Sequence, residues 1–290
     1  MIPVLWHKGN GNWDTAFPRY VLDNCGQCDH IETLLAAKEV PQSSAVICIP
    51  GRHSVTEASG INREAANFEQ VTFVIYGDEE GLFRPELLDH KNMRVWYFMP
   101  PWNPKSEVDH VAINGWPHDC RQMLIVEREK LGPSERDFDW CFAGQVTHLR
   151  REQCADAAKG IPRGFWLGTH GFSQGIPRNE YYRTLLCSKI ALCPSGPCTP
   201  DSFRIAEALE SGCIPIADGL TQDPKYPPGY WNYAFETYKL PFPVIDDWRT
   251  LPAIVEKVLY DYAHYYFACA KFWAEYKVRL FEWMKEDLRR

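Results

Sequence analysis

Short apolar runs alternate with segments of helical periodicity along the chain. In the first half, apolar runs that end in Gly, Pro or charged residues predict β-strands over Pro3–Trp6, Ala45–Ile49, Thr72–Tyr76 and Arg94–Met99. Helical segments are predicted between them, over Ile31–Ala37 and Val55–Phe68. Because strands alternate with helices, we expect a parallel sheet with helices covering its faces.

The second half repeats this alternation. Strands are predicted at Asp139–Ala143, Gly164–Gly168, Ile190–Cys193, Cys213–Ala217 and Phe242–Ile245. Helices are predicted over Arg150–Lys159, Asn179–Cys187, Leu251–Tyr262 and His264–Leu288, and the last of these is rich in Tyr, Phe and Trp at helical spacing, which is typical of core packing. The pattern therefore predicts an α/β fold with two Rossmann-like domains and C-terminal aromatic-rich helices.

The predicted domain boundary lies where strand patterning is weakest. Residues 103–136 are punctuated by Pro and Gly, and Gly132-Pro133-Ser134 is the favoured junction. The predicted domains are an acceptor-side domain over 1–132, a nucleotide-sugar-binding domain over 133–262, and a C-terminal helix over 263–290 that packs across both.

Composition supports a folded chain with sizeable cores, because 45% of the 290 residues are hydrophobic and 14% are aromatic. The formal net charge of −7 gives no global attraction to nucleic acid or to anionic membranes, although a local basic groove remains compatible with it. No apolar run has the length of a signal peptide or a membrane span, so we expect no transmembrane segment.

The 11 cysteines are mostly scattered singly through predicted core strands, which suits free thiols in a reducing compartment. Cys25 and Cys28 form one CxxC pair without a second pair or a His pair at zinc spacing, so no metal site is expected there. A redox function of this pair is a weaker alternative.

The strand at Ile190–Cys193 leads through a Pro- and Gly-rich turn into a helix that begins near Ser202. A helix N-terminus presents unpaired backbone N–H groups and can hold a phosphate. Ser202 and Arg204 lie in its first turn, and Glu207, one turn later, could accept hydrogen bonds from ribose hydroxyls. On spacing alone, an ordinary βαβ unit with a capped helix is the favoured interpretation.

Four sequence blocks favour a ligand-binding turn over an ordinary capped helix. They are SKIALCPSG, SFRIAEALESGCIPI, LPFPVIDDW and, upstream, FAGQVTHLRR. Together, over residues 138–250, they resemble the nucleotide-sugar half of exostosin-like glycosyltransferases. The resemblance implies a GT-B-type fold, with two Rossmann-like domains facing across a cleft. It also implies a nucleotide-sugar donor, most simply a UDP-sugar, transfer with inversion, and no essential metal or other cofactor.

The resemblance also assigns residues to the sugar donor. Either Arg150 or Arg151 would approach the diphosphate, and Ser202 and Arg204 would bind phosphate. Glu207 would hold the ribose. The weaker candidates for the same site are Lys189 and Ser195. The adjacent Asp246 and Asp247 are interpreted as a helix cap and a surface charge, not as metal ligands.

Inversion in one displacement needs a general base on the acceptor side. Three residues that follow predicted strands of the first domain compete for this role: His7, Asp14 and Asp78. Asp78 is slightly preferred because it directly follows a strong strand.

Several functional alternatives stay open at this point. The acceptor is either a glycan or lipid-linked saccharide, or a modified base in nucleic acid. A non-catalytic nucleotide- or carbohydrate-binding protein on the same scaffold is the alternative to an enzyme. Eukaryotic exostosin-like enzymes are typically anchored in the Golgi membrane, and this sequence departs from that pattern, so a soluble, cytoplasmic enzyme is expected.

Overall fold

A computed structural model describes residues 1–7, 13–26, 28–31, 43–51, 55–100, 108–131, 136–171, 174–222, 229–237 and 239–289. Contacts divide the chain into two compact units. The first unit comprises residues 1–118, 233–236 and 276–290, and the second comprises residues 119–232 and 237–275. Each unit is built on its own parallel sheet.

The sheet of the first unit contains strands β1 to β6 in the spatial order β2-β1-β3-β4-β5-β6. Their bounds are β1 Ile2–Trp6, β2 Cys28–Ile31, β3 Ser44–Pro50, β4 Gln70–Tyr76, β5 Met93–Phe98 and β6 His110–Ala112. Helices α1 (Ala16–Asn24) and α2 (Val55–Ala65) lie between strands in the chain. The central strands β3 and β4 pair in parallel register from Ser44↔Gln70 to Pro50↔Tyr76, and their residues are buried on both faces. That double burial explains their continuous apolar runs.

The sheet of the second unit contains strands β7 to β11 in the order β11-β10-β9-β7-β8, again all parallel. Their bounds are β7 Phe138–Gln145, β8 Gly164–Thr169, β9 Ser188–Cys193, β10 Ile214–Asp218 and β11 Val244–Ile245. The helices of this half are α3 Cys120–Leu131, α4 Leu149–Ala158, α5 Arg178–Leu186, α6 Phe203–Ser211, α7 Tyr230–Ala234, α8 Leu251–Tyr260 and α9 Tyr262–Asp287.

The predicted fold class of two parallel α/β sheets is confirmed. Two strands, β2 and β6, escaped prediction. Ile31, expected to start a helix, instead ends β2, and the remainder of that predicted helix, like the junction at 132–134, lies outside the described residues. Both missed strands are short and lie at the two edges of the sheet, where partial exposure removes the need for a continuous apolar run. The predicted domain limits stay predictions.

The C-terminal helix α9 contributes residues 262–275 to the second unit and its remainder to the first. Within the second unit, Trp273 is buried and its indole N–H donates to Glu210 at 2.6 Å. Within the first unit, the ring of Tyr276 packs edge-on against Phe235 at 4.9 Å. These two aromatics are therefore core residues. None of the helices in the described ranges combines the length and the apolar character needed to cross a bilayer.

Candidate functional site

The turn from β9 into α6 ends at Ser202, which occupies the N-cap position of α6 with extended backbone angles. Its side chain makes no cap hydrogen bond, although serine at this position usually accepts one from the first turn. The helix ends at Gly212, whose left-handed φ of 76° lets the Cys213 N–H reach the Ala208 carbonyl at 2.8 Å. The strand–turn–helix unit is therefore as predicted, but its N-terminus lacks the expected serine cap.

The buried polar atoms around this turn that lack a hydrogen-bond partner among the described residues include Ser195 Oγ, Ser202 Oγ and Arg204 Nε. The side chain of Ser195 is wholly inaccessible. Leaving a buried donor or acceptor unsatisfied costs roughly 1–3 kcal/mol, so such atoms are uncommon in native proteins. Their concentration at a helix N-terminus is typical of an anion site whose ligand completes the hydrogen bonds.

Arg204 is held over β7 by aromatic packing. Its guanidinium carbon lies 5.2 Å from the ring centroid of Phe142, within the range of a cation–π interaction. A Cβ at Gly144 would overlap the same guanidinium, so only glycine at that position leaves the guanidinium where it is. Arg204 therefore packs against the Phe142-Ala143-Gly144 segment. This contact brings together two of the sequence blocks that carry the family resemblance.

Arg151, in the first turn of α4, ties this helix to the β9–α6 turn. Its Nε donates to the Ser195 carbonyl at 3.1 Å, and its Nη1 donates to the Gln145 carbonyl at 3.0 Å. The side chain is mostly buried. A single guanidinium therefore holds the turn before α6 and the turn before α4 next to each other.

Arg150 is engaged differently, because it pairs with the fully buried Asp218 at the end of β10. Its Nε donates to one carboxylate oxygen at 3.1 Å and its Nη2 to the other. Asp218 also accepts from the Ser195 backbone N–H at 3.3 Å and from the Trp248 indole N–H at 3.1 Å. The charge of Arg150 is thus neutralised by a carboxylate. Asp218 also positions the turn around Ser195, because it accepts hydrogen bonds from that turn and from Trp248.

His148, the N-cap residue of α4, is 6% exposed, and neither ring nitrogen makes a hydrogen bond of ordinary geometry within the described ranges. Burial, together with the charges of Arg151, Arg204 and Arg150, lowers the pKa of His148 to about 4, while a hydrogen bond with the Ser195 backbone acts in the opposite direction. The imidazole is therefore neutral at pH 7. All three guanidinium groups act on it, so the potential at this point is positive.

The remaining predicted residues of this half lie in other surroundings. Glu207 is buried and accepts from the hydroxyl groups of Tyr181 at 2.7 Å and Tyr182 at 3.2 Å, and burial raises its pKa. Lys189 pairs with Asp139 at 2.7 Å. Because Lys189 lies near the amino end of β9, the strand separates it from the turn that contains Ser195. The structure thus gathers Arg151, Ser195, Ser202 and Arg204, but not Lys189.

The three predicted bases of the first unit follow the carboxyl ends of β1 and β4. His7 follows β1, and its Nε2 lies 2.6 Å from Oε2 of Glu64 on α2. The Tyr76 hydroxyl donates to the His7 carbonyl at 3.1 Å. A Cβ at Gly77 would lie 2.7 Å from a carboxylate oxygen of Asp14. The structure therefore brings His7, Asp14 and Asp78 to one edge of the first sheet.

Asp78 is the most buried of the three. Its carboxylate accepts from the backbone N–H groups of Leu82 at 2.8 Å and Phe83 at 3.0 Å, and from the Tyr97 hydroxyl. Burial raises its pKa, and these hydrogen bonds act against that rise. Both carboxylate oxygens are therefore engaged in holding the turn that follows β4.

The acidic and cysteine residues considered for metal binding or redox chemistry can now be placed in the structure. Over the described part of the chain, no cluster of three or more His, Cys, Asp or Glu side chains is placed to hold a metal ion. Asp247 caps a short 3-10 turn by accepting from the Arg249 N–H at 3.0 Å, as interpreted from the sequence. Cys25 and Cys28 are free thiols whose sulfur atoms lie 3.9 Å apart.

Sequence reasoning missed His148, Asp218 and Glu64. His148 stands directly before the two arginines in FAGQVTHLRR, and Asp218 ends an apolar strand, which is a position where ligand sites of α/β folds gather. Glu64 carries no local signal, because its partner His7 is 57 residues away along the chain.

No curated protein matches the chain. The solved structures that are similar to it include three of HepE from Anabaena, each aligned over 100% of both chains. They are the complex with UDP (11% identity, TM-score 0.48), with UDP and glucose (9%, 0.48), and with UDP-glucose (10%, 0.47).

The family model that matches is that of the RXYLT1 C-terminal domain, over residues 172–285. This range contains α6, with the turn before it, and the LPFPVIDDW block. Residues 172–285 are therefore similar to the RXYLT1 C-terminal domain, of the exostosin-like glycosyltransferase family, and the resemblance predicted from the sequence is confirmed over that part of the chain.

Proposed function

We propose that the protein transfers a sugar from a nucleotide donor, a UDP-sugar, to an acceptor with inversion at the anomeric carbon and without an essential metal. The acceptor is a glycan or lipid-linked saccharide, or a modified base in DNA. The diphosphate binds at the β9–α6 turn, contacted by Ser195, Ser202 and Arg204, with Arg151 beside it.

One observation carries this proposal. The unpartnered Ser195 Oγ, Ser202 Oγ and Arg204 Nε are gathered at the N-terminus of α6, inside or next to the blocks that resemble the sugar-donor half of the family. A diphosphate supplies several acceptor oxygens and negative charge, which are the features that these groups and a helix N-terminus favour. A neutral ligand would offer no opposite charge to Arg204.

The same groups suit the departure of a nucleoside diphosphate. Negative charge develops on the leaving phosphate as the glycosidic bond to it breaks, and preorganised cations and amide dipoles stabilise that charge. Arg204, fixed over Phe142, and the first N–H groups of α6 are held in place before the reaction. These groups support the metal-independent proposal, which is tested by assaying transfer after treatment with EDTA.

The first experiment measures UDP binding and sugar-nucleotide turnover. We expect wild-type protein to bind UDP and to release nucleotide slowly from one member of a panel of nucleotide sugars. Arg204→Met should weaken UDP binding about 10- to 100-fold, as expected for a lost hydrogen bond to a charged group. Arg249→Met is the matched control, because Arg249 belongs to the same unit, is 90% exposed and pairs only locally with Asp247.

The outcomes separate the two function classes. Nucleotide release identifies a catalyst, whereas UDP binding without turnover of any sugar nucleotide identifies the non-catalytic alternative. Equal UDP affinity of wild type and Arg204→Met contradicts the proposed diphosphate site. The acceptor is then identified by the mass shift of glycan or DNA substrates, and DNA recognition is expected to weaken steeply with salt.

A further inference from the structure

A histidine that the sequence did not single out lies among the groups of the proposed diphosphate site. His148 precedes the first turn of α4, and Arg151 of the same turn donates to the Ser195 carbonyl at 3.1 Å. The N-termini of α4 and α6 thus flank one turn of the chain. The electrostatic influence of Arg150, Arg151 and Arg204 on His148 places all three cations near the imidazole.

The surroundings of His148 do not explain its burial. The side chain is 94% buried, yet neither nitrogen makes a hydrogen bond of ordinary geometry in the described chain, and the approach to the Ser195 backbone involves at most one of the two nitrogens. It also fails to cap α4, the ordinary role of a polar residue at that position. A histidine serving only as packing would leave at least one N–H unsatisfied, which costs roughly 1–3 kcal/mol. The burial of these ring nitrogens is therefore better explained if a bound ligand completes their hydrogen bonds.

Charge indicates which kind of ligand this is. Arg150 is neutralised by Asp218, whereas the guanidinium of Arg204 lies over an aromatic ring and its buried Nε has no hydrogen-bond partner among the described residues. The charge of Arg204 acts on His148, and Ser195 and Ser202 add buried hydroxyl groups, so an anionic group with several acceptor oxygens suits the set. A neutral imidazole suits this place, since it donates one N–H without adding to the local positive charge.

We propose that His148 is a direct ligand of the bound diphosphate, donating an imidazole N–H to a phosphate oxygen from the side of α4, opposite the groups of the β9–α6 turn. This inference rests on the proposed function for the identity of the anion. It extends the site from one helix N-terminus to two and adds a residue that binds the phosphate as a neutral donor.

The test compares His148→Leu, which fills much of the space without a donor, with His148→Asn, which retains an N–H group. Dissociation constants are measured for UDP, for uridine and for inorganic pyrophosphate. His148→Leu should weaken UDP about 10- to 100-fold and leave uridine unchanged, and His148→Asn should recover most of the UDP affinity. His264→Leu is the control, because His264 is exposed on α9 of the same unit.

The outcomes keep the two proposals apart. Equal UDP affinity in wild type and His148→Leu overturns the role of His148 while the proposed function stands. An equal loss for UDP and uridine shows that His148 only supports packing, and it overturns the inference too. If wild type binds pyrophosphate but not UDP, and His148→Leu weakens pyrophosphate, the ligand role stands and the nucleotide donor is wrong. Binding of neither probe overturns both.

Discussion

The Nε2 atom of His7 lies 2.6 Å from a carboxylate oxygen of Glu64, at the carboxyl edge of the first sheet. Because a carboxylate accepts, Nε2 donates, and in the neutral tautomer the lone pair is on Nδ1. The His7 backbone N–H donates to the Cys48 carbonyl at 3.0 Å, which fixes the residue to β3. A histidine oriented by a carboxylate is an arrangement suited to removing a proton from an acceptor hydroxyl.

We therefore predict that His7→Ala abolishes sugar transfer and that Glu64→Gln lowers kcat about 10- to 100-fold, because general-base catalysis contributes on the order of 10²–10⁴ and Gln keeps part of the orientation. UDP affinity should be unchanged in both variants. Asp14→Asn is the parallel test of the second predicted base. Full transfer activity in His7→Ala would remove His7 from consideration.

Replacing Asp78, the general base preferred from the sequence, is expected to change the stability of the protein as well as its activity. Its carboxylate receives two backbone N–H groups and the Tyr97 hydroxyl, so Asp78→Asn turns an amide NH₂ toward one of these donors. We expect a loss of about 1–3 kcal/mol in the free energy of unfolding, measured by thermal or urea unfolding. If Asp78→Asn instead keeps wild-type stability and loses transfer, a catalytic role is favoured over a structural one.

Two arginine–aspartate pairs of the second unit form a matched test of burial. Arg150 and Asp218 are 10% and 0% exposed, whereas Arg249 and Asp247 are 90% and 43% exposed. Asp218→Asn should destabilise the protein by about 3–5 kcal/mol, because it leaves a buried guanidinium uncompensated. Asp247→Asn should change the melting temperature little, since exposed pairs are screened by water. Similar losses in the two variants would contradict this account.

Gly144 is predicted to act on UDP binding through Arg204. In Gly144→Ala the new Cβ occupies the position of the Arg204 guanidinium, so the side chain must leave its seat over Phe142. UDP affinity should fall to a similar extent as in Arg204→Met, about 10- to 100-fold. Gly60→Ala is the control glycine, because an added Cβ there meets nothing within 4 Å. Unchanged UDP binding in Gly144→Ala would show that the guanidinium position does not matter.

The pKa of His148 predicts a pH-dependent stability. The imidazole titrates near 6.5 in the unfolded chain and near 4 in the folded protein, so unfolding takes up a proton between these values. Stability therefore falls as the pH is lowered from 6.5 toward 4, by up to about 1.4 kcal/mol per pH unit from this group.

His148→Leu removes that contribution. Between pH 7 and pH 5 the variant should lose up to about 2 kcal/mol less than wild type, measured by urea unfolding at both values. His264→Leu is the control substitution, because it replaces an exposed histidine on α9. Parallel losses in wild type and His148→Leu would show that His148 is not buried as described.

The local pattern of apolar and polar residues was sufficient to predict most of the strands and helices. Strands such as β3 and β9 are buried on both faces of parallel sheets, so they appear in the sequence as uninterrupted apolar runs. The edge strands β2 and β6 lack that burial and left no such run. The turn into α6 was also visible, because N-cap residues and a terminal glycine mark helix ends locally.

The sequence by itself determined the two α/β halves, the strand–turn–helix unit at α6 and, through Ser202 and Arg204, two residues of the proposed diphosphate site. Only the tertiary structure decided that Arg150 is neutralised by Asp218, that Lys189 lies at the other end of its strand, and that His148 is buried beside the proposed site. The physical reason is the distance along the chain between the interacting residues. Burial patterns and helix caps involve neighbours in the chain, whereas charge pairing and unsatisfied hydrogen bonds depend on residues that only folding brings together.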